Sequence, residues 1–212
     1  MNDILNNIQG AAVAMSGWEV IAATLAIAYL LLAMKQNILC WLAAFISTAI
    51  YTVLFWDVSL FMESALNVYY MLMAIYGAYQ WQYGNTQGNC LSIQRWNYRK
   101  HFQACSLILL FTVTSGFLLS NNTEAAWPYL DSFTTWASVF TTWLVAKKVL
   151  ENWIYWIVID SVAIILYVDR GLYLTALLMA LYIIIAIFGW LSWRSNYQRE
   201  RSDKFTLQQA SG

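Results

Sequence analysis

Long apolar runs divided by short polar breaks extend along almost the whole chain. Seven runs approach or exceed the roughly 17–25 apolar residues that a bilayer-spanning helix needs. They occupy residues 18–34, 38–56, 60–81, 102–119, 129–146, 153–168 and 172–193. The pattern predicts an all-α integral membrane protein with seven transmembrane helices.

The composition excludes a soluble or disordered protein. Hydrophobic residues make up 61% of the 212 residues and charged residues only 10%, whereas soluble domains carry about 25% charged residues. Eleven basic and eleven acidic residues give a formal net charge of zero. Without a basic field, no nucleic-acid partner is expected.

Basic residues between the runs predict the orientation, because cytoplasmic loops carry an excess of Lys and Arg. If the N-terminus lies outside, the inner side receives Lys35, Arg95, Arg99, Lys100, Lys147, Lys148, Arg194, Arg199, Arg201 and Lys204. The outer side receives Arg170 together with Asp57, Glu124 and Asp169. We therefore predict an external N-terminus and a cytoplasmic C-terminus.

Five parts follow from this layout. Residues 1–17 lack the basic start of a signal peptide and are predicted to form a short interfacial segment. Two three-helix units, 18–83 and 129–193, flank a middle part, 84–128, which holds a basic inner loop, the fourth helix and an outer loop. The polar residues 194–212 are predicted to form a mobile cytoplasmic tail.

An internal repeat appears when the chain is shifted against itself by 112 positions. Equivalent pairs at this offset include Trp41 and Trp153, Asp57 and Asp169, Gly77 and Gly189, and Trp81 and Trp193. Spans one to three then correspond to spans five to seven, four spans apart, so both halves have the same orientation. This parallel 3+1+3 repeat is an architecture of transporters that bind substrate at the repeat interface. A duplicated scaffold without transport is the alternative.

Polar and aromatic residues share single faces of two equivalent helices. Residues three or four apart in the third span are Glu63, Asn67, Tyr70, Ala74, Gly77 and Trp81. Their equivalents in the seventh span are Thr175, Met179, Tyr182, Ala186, Gly189 and Trp193. The small residues predict close helix packing, and the polar and aromatic residues predict a cavity wall.

The sixth span adds Trp153, Trp156 and Asp160 on one face. The second span has Trp41 and Thr48 where the sixth has Trp153 and Asp160, so the predicted cavity is lopsided. No Lys or Arg lies inside any predicted span, and an acid at bilayer depth indicates a functional site. Trp and Tyr faces beside an acid suit a flat, positively charged aromatic. A protonated or interhelical hydrogen-bonding acid is the alternative.

Other tryptophans lie at the ends of spans, where indole rings form interfacial belts. This position predicts a belt role for Trp18, Trp56, Trp81, Trp127, Trp190 and Trp193.

Catalytic and metal-binding residue types are scarce. His101 is the single histidine, and Cys40, Cys90 and Cys105 have no CxxC spacing. We therefore expect no enzyme activity, no metal and no cofactor. The last span also lacks the lysine that a retinal photoreceptor needs.

Four short motifs carry a resemblance to a known family. They are NVYY at 67–70, YGAYQW at 76–81, ENWIYW at 151–156 and GLYLTA at 171–176. With them the chain resembles the PnuC-type nicotinamide riboside transporters of the Pnu vitamin transporter family. The resemblance implies a SWEET-like fold, a homotrimer in the bacterial inner membrane, and facilitated diffusion of the riboside, which cytoplasmic phosphorylation then traps.

Together, the residues and the resemblance predict two sets of site residues. The substrate-binding set is Asn67, Tyr70, Asn152, Trp153, Trp156, Asp160, Thr175 and Tyr182. The gate or entrance set is Trp41, Thr48, Glu63, Tyr76 and Trp81. A sister transporter for thiamine or riboflavin is the nearest alternative.

Overall fold

The computed structural model describes residues 2–59, 61–84, 91–122 and 127–210. Eight helices lie within these residues: α1 (Asn2–Ala14), α2 (Gly17–Met34), α3 (Leu39–Asp57), α4 (Phe61–Tyr83), α5 (Tyr98–Asn122), α6 (Pro128–Ala146), α7 (Asn152–Asp169) and α8 (Tyr173–Ala210). The predicted all-helical class is confirmed. Helix α1 coincides with the predicted interfacial segment and packs against α8.

Five of the described helices, α2, α3, α5, α7 and α8, are long and apolar enough to cross a membrane. Helices α4 and α6 coincide with the third and fifth predicted spans but carry more polar side chains. Examples are Glu63 and Asn67 in α4 and Thr141 and Thr142 in α6.

Local signals explain where several helices begin and end. Helix α2 starts at a capping box, in which the Glu19 amide donates to Ser16 Oγ and the Ser16 amide donates to Glu19 Oε2. Pro128 opens α6, where its missing N–H costs nothing. Helix α8 continues to Ala210, because residues 194–210 contain neither Gly nor Pro to stop it. The predicted tail is thus helical through residue 210.

Packing within each three-helix unit follows the chain, and packing between the units is crossed. Helix α3 packs on α2 and α4, as α7 packs on α6 and α8. Between the units, α2 packs on α8 and α4 packs on α6. The fourth predicted span, α5, lies against α6.

The turns after α2 and α6 have the same backbone structure, 112 positions apart. Gln36 donates its amide proton to the Ala33 carbonyl over 2.9 Å, and Lys148 donates to the Val145 carbonyl over 2.9 Å. Both donors have left-handed backbone angles, with φ of 56° at Gln36 and 50° at Lys148. We call the end of the bundle that contains these two turns the basic end.

The main buried core lies at the basic end and corrects part of the belt prediction. Trp81 and Trp193 are 3% and 0% exposed, so these two are core residues. Sequence position alone placed them at span ends, but α4 and α8 turn these rings toward each other across the bundle. Trp18 and Trp56, at 63% and 62% exposed, keep the exposure expected of a belt.

Candidate functional site

A cavity of about 120 Å³ lies between α2, α7 and α8. Its lining residues are Ala26, Tyr29, Leu30, Trp153, Trp156, Asp160, Tyr182 and Ala186. Four of these, on α7 and α8, belong to the substrate-binding set expected from the sequence. Their spacing of three and four along α7 explains why Trp153, Trp156 and Asp160 face the same space.

Asp160 is the one acidic side chain among the lining residues. It is only 5% exposed. Within the described ranges its carboxylate has neither a hydrogen bond nor an ion pair. The small side chains of Ala26 and Ala186 leave room beside the aromatic rings. The cavity therefore combines flat aromatic faces with one unpartnered acid.

Trp153 forms the floor of the cavity toward the basic end. Its ring is 1% exposed and packs edge-on against Trp193, with ring centroids 5.5 Å apart. A Cβ on Gly189 would lie 2.7 Å from the Trp153 ring, so only glycine fits there. In the part of the chain that the structure describes, Trp153 Nε1 has no hydrogen-bond acceptor. This N–H is therefore a buried polar group without a partner in the described structure.

The remaining residues of the substrate-binding set do not line this cavity. Asn67 donates its amide to the Glu63 carbonyl of its own helix over 2.9 Å. Tyr70 packs edge-on against Tyr69, and Thr175 is half-buried in the first turn of α8.

Asn152 lies fully buried at the start of α7, where its Nδ2 donates to the Val149 carbonyl over 2.7 Å. Its Oδ1 has no donor among the described residues.

Two residues of the predicted gate set belong to a chain of four tryptophan rings that closes the basic end. We call Trp41, Trp81, Trp193 and Trp153 the tryptophan chain. Neighbouring ring centroids along it are 5.4, 6.0 and 5.5 Å apart. The outer contacts, Trp41 with Trp81 and Trp153 with Trp193, are equivalent in the repeat, and both are edge-on.

Each central ring of the tryptophan chain is also tied to the opposite half. Trp81 Nε1 donates to the Val145 carbonyl over 3.1 Å, and Trp193 Nε1 donates to the Ala33 carbonyl over 3.0 Å. Val145 is the repeat equivalent of Ala33. The same bond is therefore made twice across the junction of the halves.

Lys148 is a part of this junction that sequence reasoning missed. It is only 6% exposed, and its Nζ lies 3.2 Å from Gln36 Oε1 and 4.6 Å from the centroid of the Trp81 ring. The sequence indicated Lys148 only as a marker of membrane orientation. Its equivalence to Gln36 in the repeat was the signal available.

The other residues of the gate set form local contacts. Lys147 Nζ lies 5.3 Å from the centroid of the Tyr76 ring at the basic end. Thr48 Oγ1 donates to the Ala44 carbonyl of its own helix over 2.8 Å. Glu63 is exposed in the first turn of α4.

The loop before α5 holds the start of α7 in place. Gln94 donates to the Lys148 carbonyl over 2.9 Å and accepts from the Leu150 amide over 2.8 Å. Glu151 accepts from Arg95 Nε over 3.2 Å and from the Trp96 amide over 3.3 Å. From the sequence, Glu151 was noted only as part of the ENWIYW motif.

No group of three or more His, Cys, Asp or Glu side chains comes together in residues 2–59, 61–84, 91–122 and 127–210. The lining of the described cavity consists of aromatic and aliphatic side chains and one acid.

Comparisons with known proteins match this chain over most of its length. The family model described as nicotinamide mononucleotide transporter matches residues 16–195. Proteins named nicotinamide riboside transporter PnuC from Escherichia coli (strain K12) and Shigella flexneri are each 22% identical over 200 residues, covering 82% of this chain and 82% of the relative.

A solved structure, the crystal structure of the vitamin B3 transporter PnuC, matches with a TM-score of 0.70. The match covers 92% of this chain and 90% of that chain at 20% identity, and it shows a shared fold. The chain belongs to the nicotinamide mononucleotide transporter family and is a PnuC-type membrane transporter, as the resemblance predicted.

Proposed function

We propose that the protein takes up nicotinamide riboside across the bacterial inner membrane by facilitated diffusion, with cytoplasmic phosphorylation trapping the product. The observation that carries this proposal is the cavity whose wall holds Trp153, Trp156, Tyr182 and the unpartnered Asp160. The two PnuC relatives are named as transporters of this riboside.

The chemistry of the cavity suits a pyridinium ring joined to a sugar. The faces of Trp156 and Tyr182 stack on the flat cationic ring, through dispersion and cation–π attraction. The Asp160 carboxylate supplies the opposite charge.

The size of the cavity implies movement. Small-molecule pockets measure roughly 300–1,000 Å³, and this cavity measures about 120 Å³. The two three-helix halves therefore separate to admit the cargo. This motion brings Asn67, Tyr70, Asn152 and Thr175 to the cargo, where their polar groups bind the ribose.

The seven-span, parallel 3+1+3, SWEET-like arrangement with an external N-terminus is part of this proposal. Repeated turns after α2 and α6, and crossed packing of α2 on α8 and α4 on α6, support it. In this orientation the tryptophan chain is the cytoplasmic gate, which is closed here. The entrance near Glu63 and Thr48 opens when this gate is closed, and closes when the gate opens. The homotrimer rests on the resemblance alone.

A binding titration on the detergent-purified protein tests the cargo. Tryptophan fluorescence is followed while nicotinamide riboside, thiamine or riboflavin is added. We expect saturable quenching by the riboside. Quenching by thiamine or riboflavin instead would assign the protein to a sister vitamin, and no response to any of the three would favour the non-transporting scaffold.

Substitution of Trp156 tests the cavity as the site of binding. In Trp156→Ala the lost stacking is expected to weaken riboside binding by about 1–3 kcal/mol, or roughly 5- to 150-fold in Kd. Trp18→Ala removes an exposed indole of the same size far from the cavity and should leave Kd unchanged. Unchanged Kd in Trp156→Ala would remove this residue from the site.

A further inference from the structure

Asp160 has an unusual setting for an acid. Its side chain is 5% exposed and borders a cavity whose other lining residues are aromatic or aliphatic. Nothing in the described portion of the chain donates a hydrogen bond to it or forms an ion pair with it. The acid is thus a buried polar group without a partner at the border of the cavity.

The titratable groups that face Asp160 carry no positive charge. Helix α2 presents Tyr29 and α8 presents Tyr182, both lining the same cavity. Tyr167 follows two turns later on α7. Helix α6, which packs on α7 together with α8, has Tyr129 and Asp131 as its titratable residues, both in the first turn at the end of the bundle opposite the basic end.

An ionised carboxylate in such surroundings costs several kcal/mol more than a protonated carboxyl does. The empty cavity therefore favours the neutral acid. A cation bound in the cavity reverses this preference, because its charge stabilises the ionised carboxylate of Asp160.

We propose that cationic cargo binds in exchange for the proton of Asp160. The O–H bond of the Asp160 carboxyl breaks, the proton passes to water, and the carboxylate left behind pairs with the pyridinium cation. The net charge of the site is the same before and after binding. The inference rests on the proposed function, since it needs a positively charged cargo.

Proton exchange makes the affinity for the cation depend on pH. Where the empty site is protonated, Kd for the cation rises with falling pH, up to about tenfold per pH unit for one proton. An uncharged ligand of the same shape does not displace the proton. The dihydropyridine form of the riboside has an uncharged ring and serves as that ligand.

Isothermal titration calorimetry in two buffers of different ionisation enthalpy counts the protons released. We expect up to one proton released per riboside bound to the wild-type protein, and none for the dihydropyridine form. Both measurements use the unmodified protein and need no variant.

Asp160→Asn provides the matched test of the residue. The amide keeps the shape but cannot ionise, so the variant should bind the cation more weakly, with a Kd independent of pH and no proton release. Asp57→Asn, at the exposed end of α3, is the control and should behave like the wild type. Binding of the dihydropyridine form should be the same in all three proteins.

The outcomes separate this proposal from the function on which it rests. Riboside binding without proton release, or with wild-type pH dependence in Asp160→Asn, would overturn the exchange and leave the cargo assignment standing. Failure of the wild type to bind the riboside at any pH would overturn both. Proton release that disappears in Asp160→Asn, with the Asp57→Asn control unchanged, establishes the exchange.

Discussion

Gly189 lies where the ring of Trp153 passes closest to α8. The space between the Trp153 ring and α8 is too narrow for a side chain larger than the hydrogen of glycine. Its repeat equivalent, Gly77, faces the ring of Trp41 in the same way, again too close for a side chain. The two glycines thus fix how deeply the outer rings of the tryptophan chain enter the bundle. Since Trp153 also lines the cavity, the shape of the cavity depends on one missing methyl group.

Replacement of Gly189 by Ala should therefore disturb both folding and binding. The new methyl group would lie 2.7 Å from the ring of Trp153, which must move. Overpacking of this kind costs about 1–3 kcal/mol. We expect a lower Tm in detergent and weaker riboside binding.

Gly10→Ala is the matched control, because its added methyl group meets nothing within 4 Å. Ala is favoured over Gly within a helix by about 0.5–1 kcal/mol. The control should melt at or slightly above the wild-type temperature. A wild-type Tm for Gly189→Ala would mean that Trp153 is not held by this contact.

At the scale of elements, α7 carries most of the cavity and is fixed at its start by a loop. The backbone of Gln94 forms hydrogen bonds with the backbone of Lys148 and Leu150. The Glu151 side chain accepts hydrogen bonds from Arg95 and Trp96 of the same loop. The orientation of α7, and so of Trp153, Trp156 and Asp160, depends on this loop.

Much of α7 could be predicted from the sequence, because a period of 3.6 residues fixes which side chains share a face. The spacing of Trp153, Trp156 and Asp160 was enough to predict their common cavity wall. The two backbone hydrogen bonds that attach the loop could not be predicted, since they leave no pattern in side chains. The burial of Trp193 was also missed, because position within a span does not tell which neighbour a helix meets.

Glu151→Ala should loosen this loop more than Arg95→Ala does. The arginine side chain is 64% exposed, so its ion pair contributes only about 0–1 kcal/mol. Loss of Glu151 also leaves the Trp96 amide without its acceptor. We expect faster hydrogen exchange at residues 94–97 and at Leu150 in Glu151→Ala, and a smaller change in Arg95→Ala. Equal exchange in the two variants would contradict the role given to Glu151.

The whole molecule is organised around contacts between equivalent residues. Gln36 touches Lys148, and Trp81 packs on Trp193, although each pair is 112 positions apart in sequence. Equivalent residues in two related halves meet only near the axis that relates them. In the proposed repeat these contacts lie at the basic end, so the two halves cannot separate there without breaking them. The buried Lys148, paired with the Gln36 amide and the Trp81 ring, favours the closed arrangement.

A disulfide that links the two halves at the basic end tests whether they separate there during transport. Ser192 in α8 donates its hydroxyl to the Met34 carbonyl at the end of α2 over 3.3 Å, and the two residues belong to opposite halves. In a background with Cys40, Cys90 and Cys105 replaced, Met34→Cys with Ser192→Cys should form a disulfide on oxidation. If the halves separate here in each cycle, riboside uptake into proteoliposomes should stop and should return on reduction.

A second pair with the same local geometry lies inside one half. Ser64 in α4 donates its hydroxyl to the Thr52 carbonyl of α3 over 2.8 Å. Because α3 and α4 move together if each half is rigid, oxidation of Thr52→Cys with Ser64→Cys should leave uptake unchanged. Loss of uptake on oxidation of both double-cysteine variants would point to motion within the halves. Continued uptake with the Met34–Ser192 pair oxidised would mean that cargo passes without opening the basic end. The contrast between the two pairs thus distinguishes rigid rocking about the axis from bending of single helices.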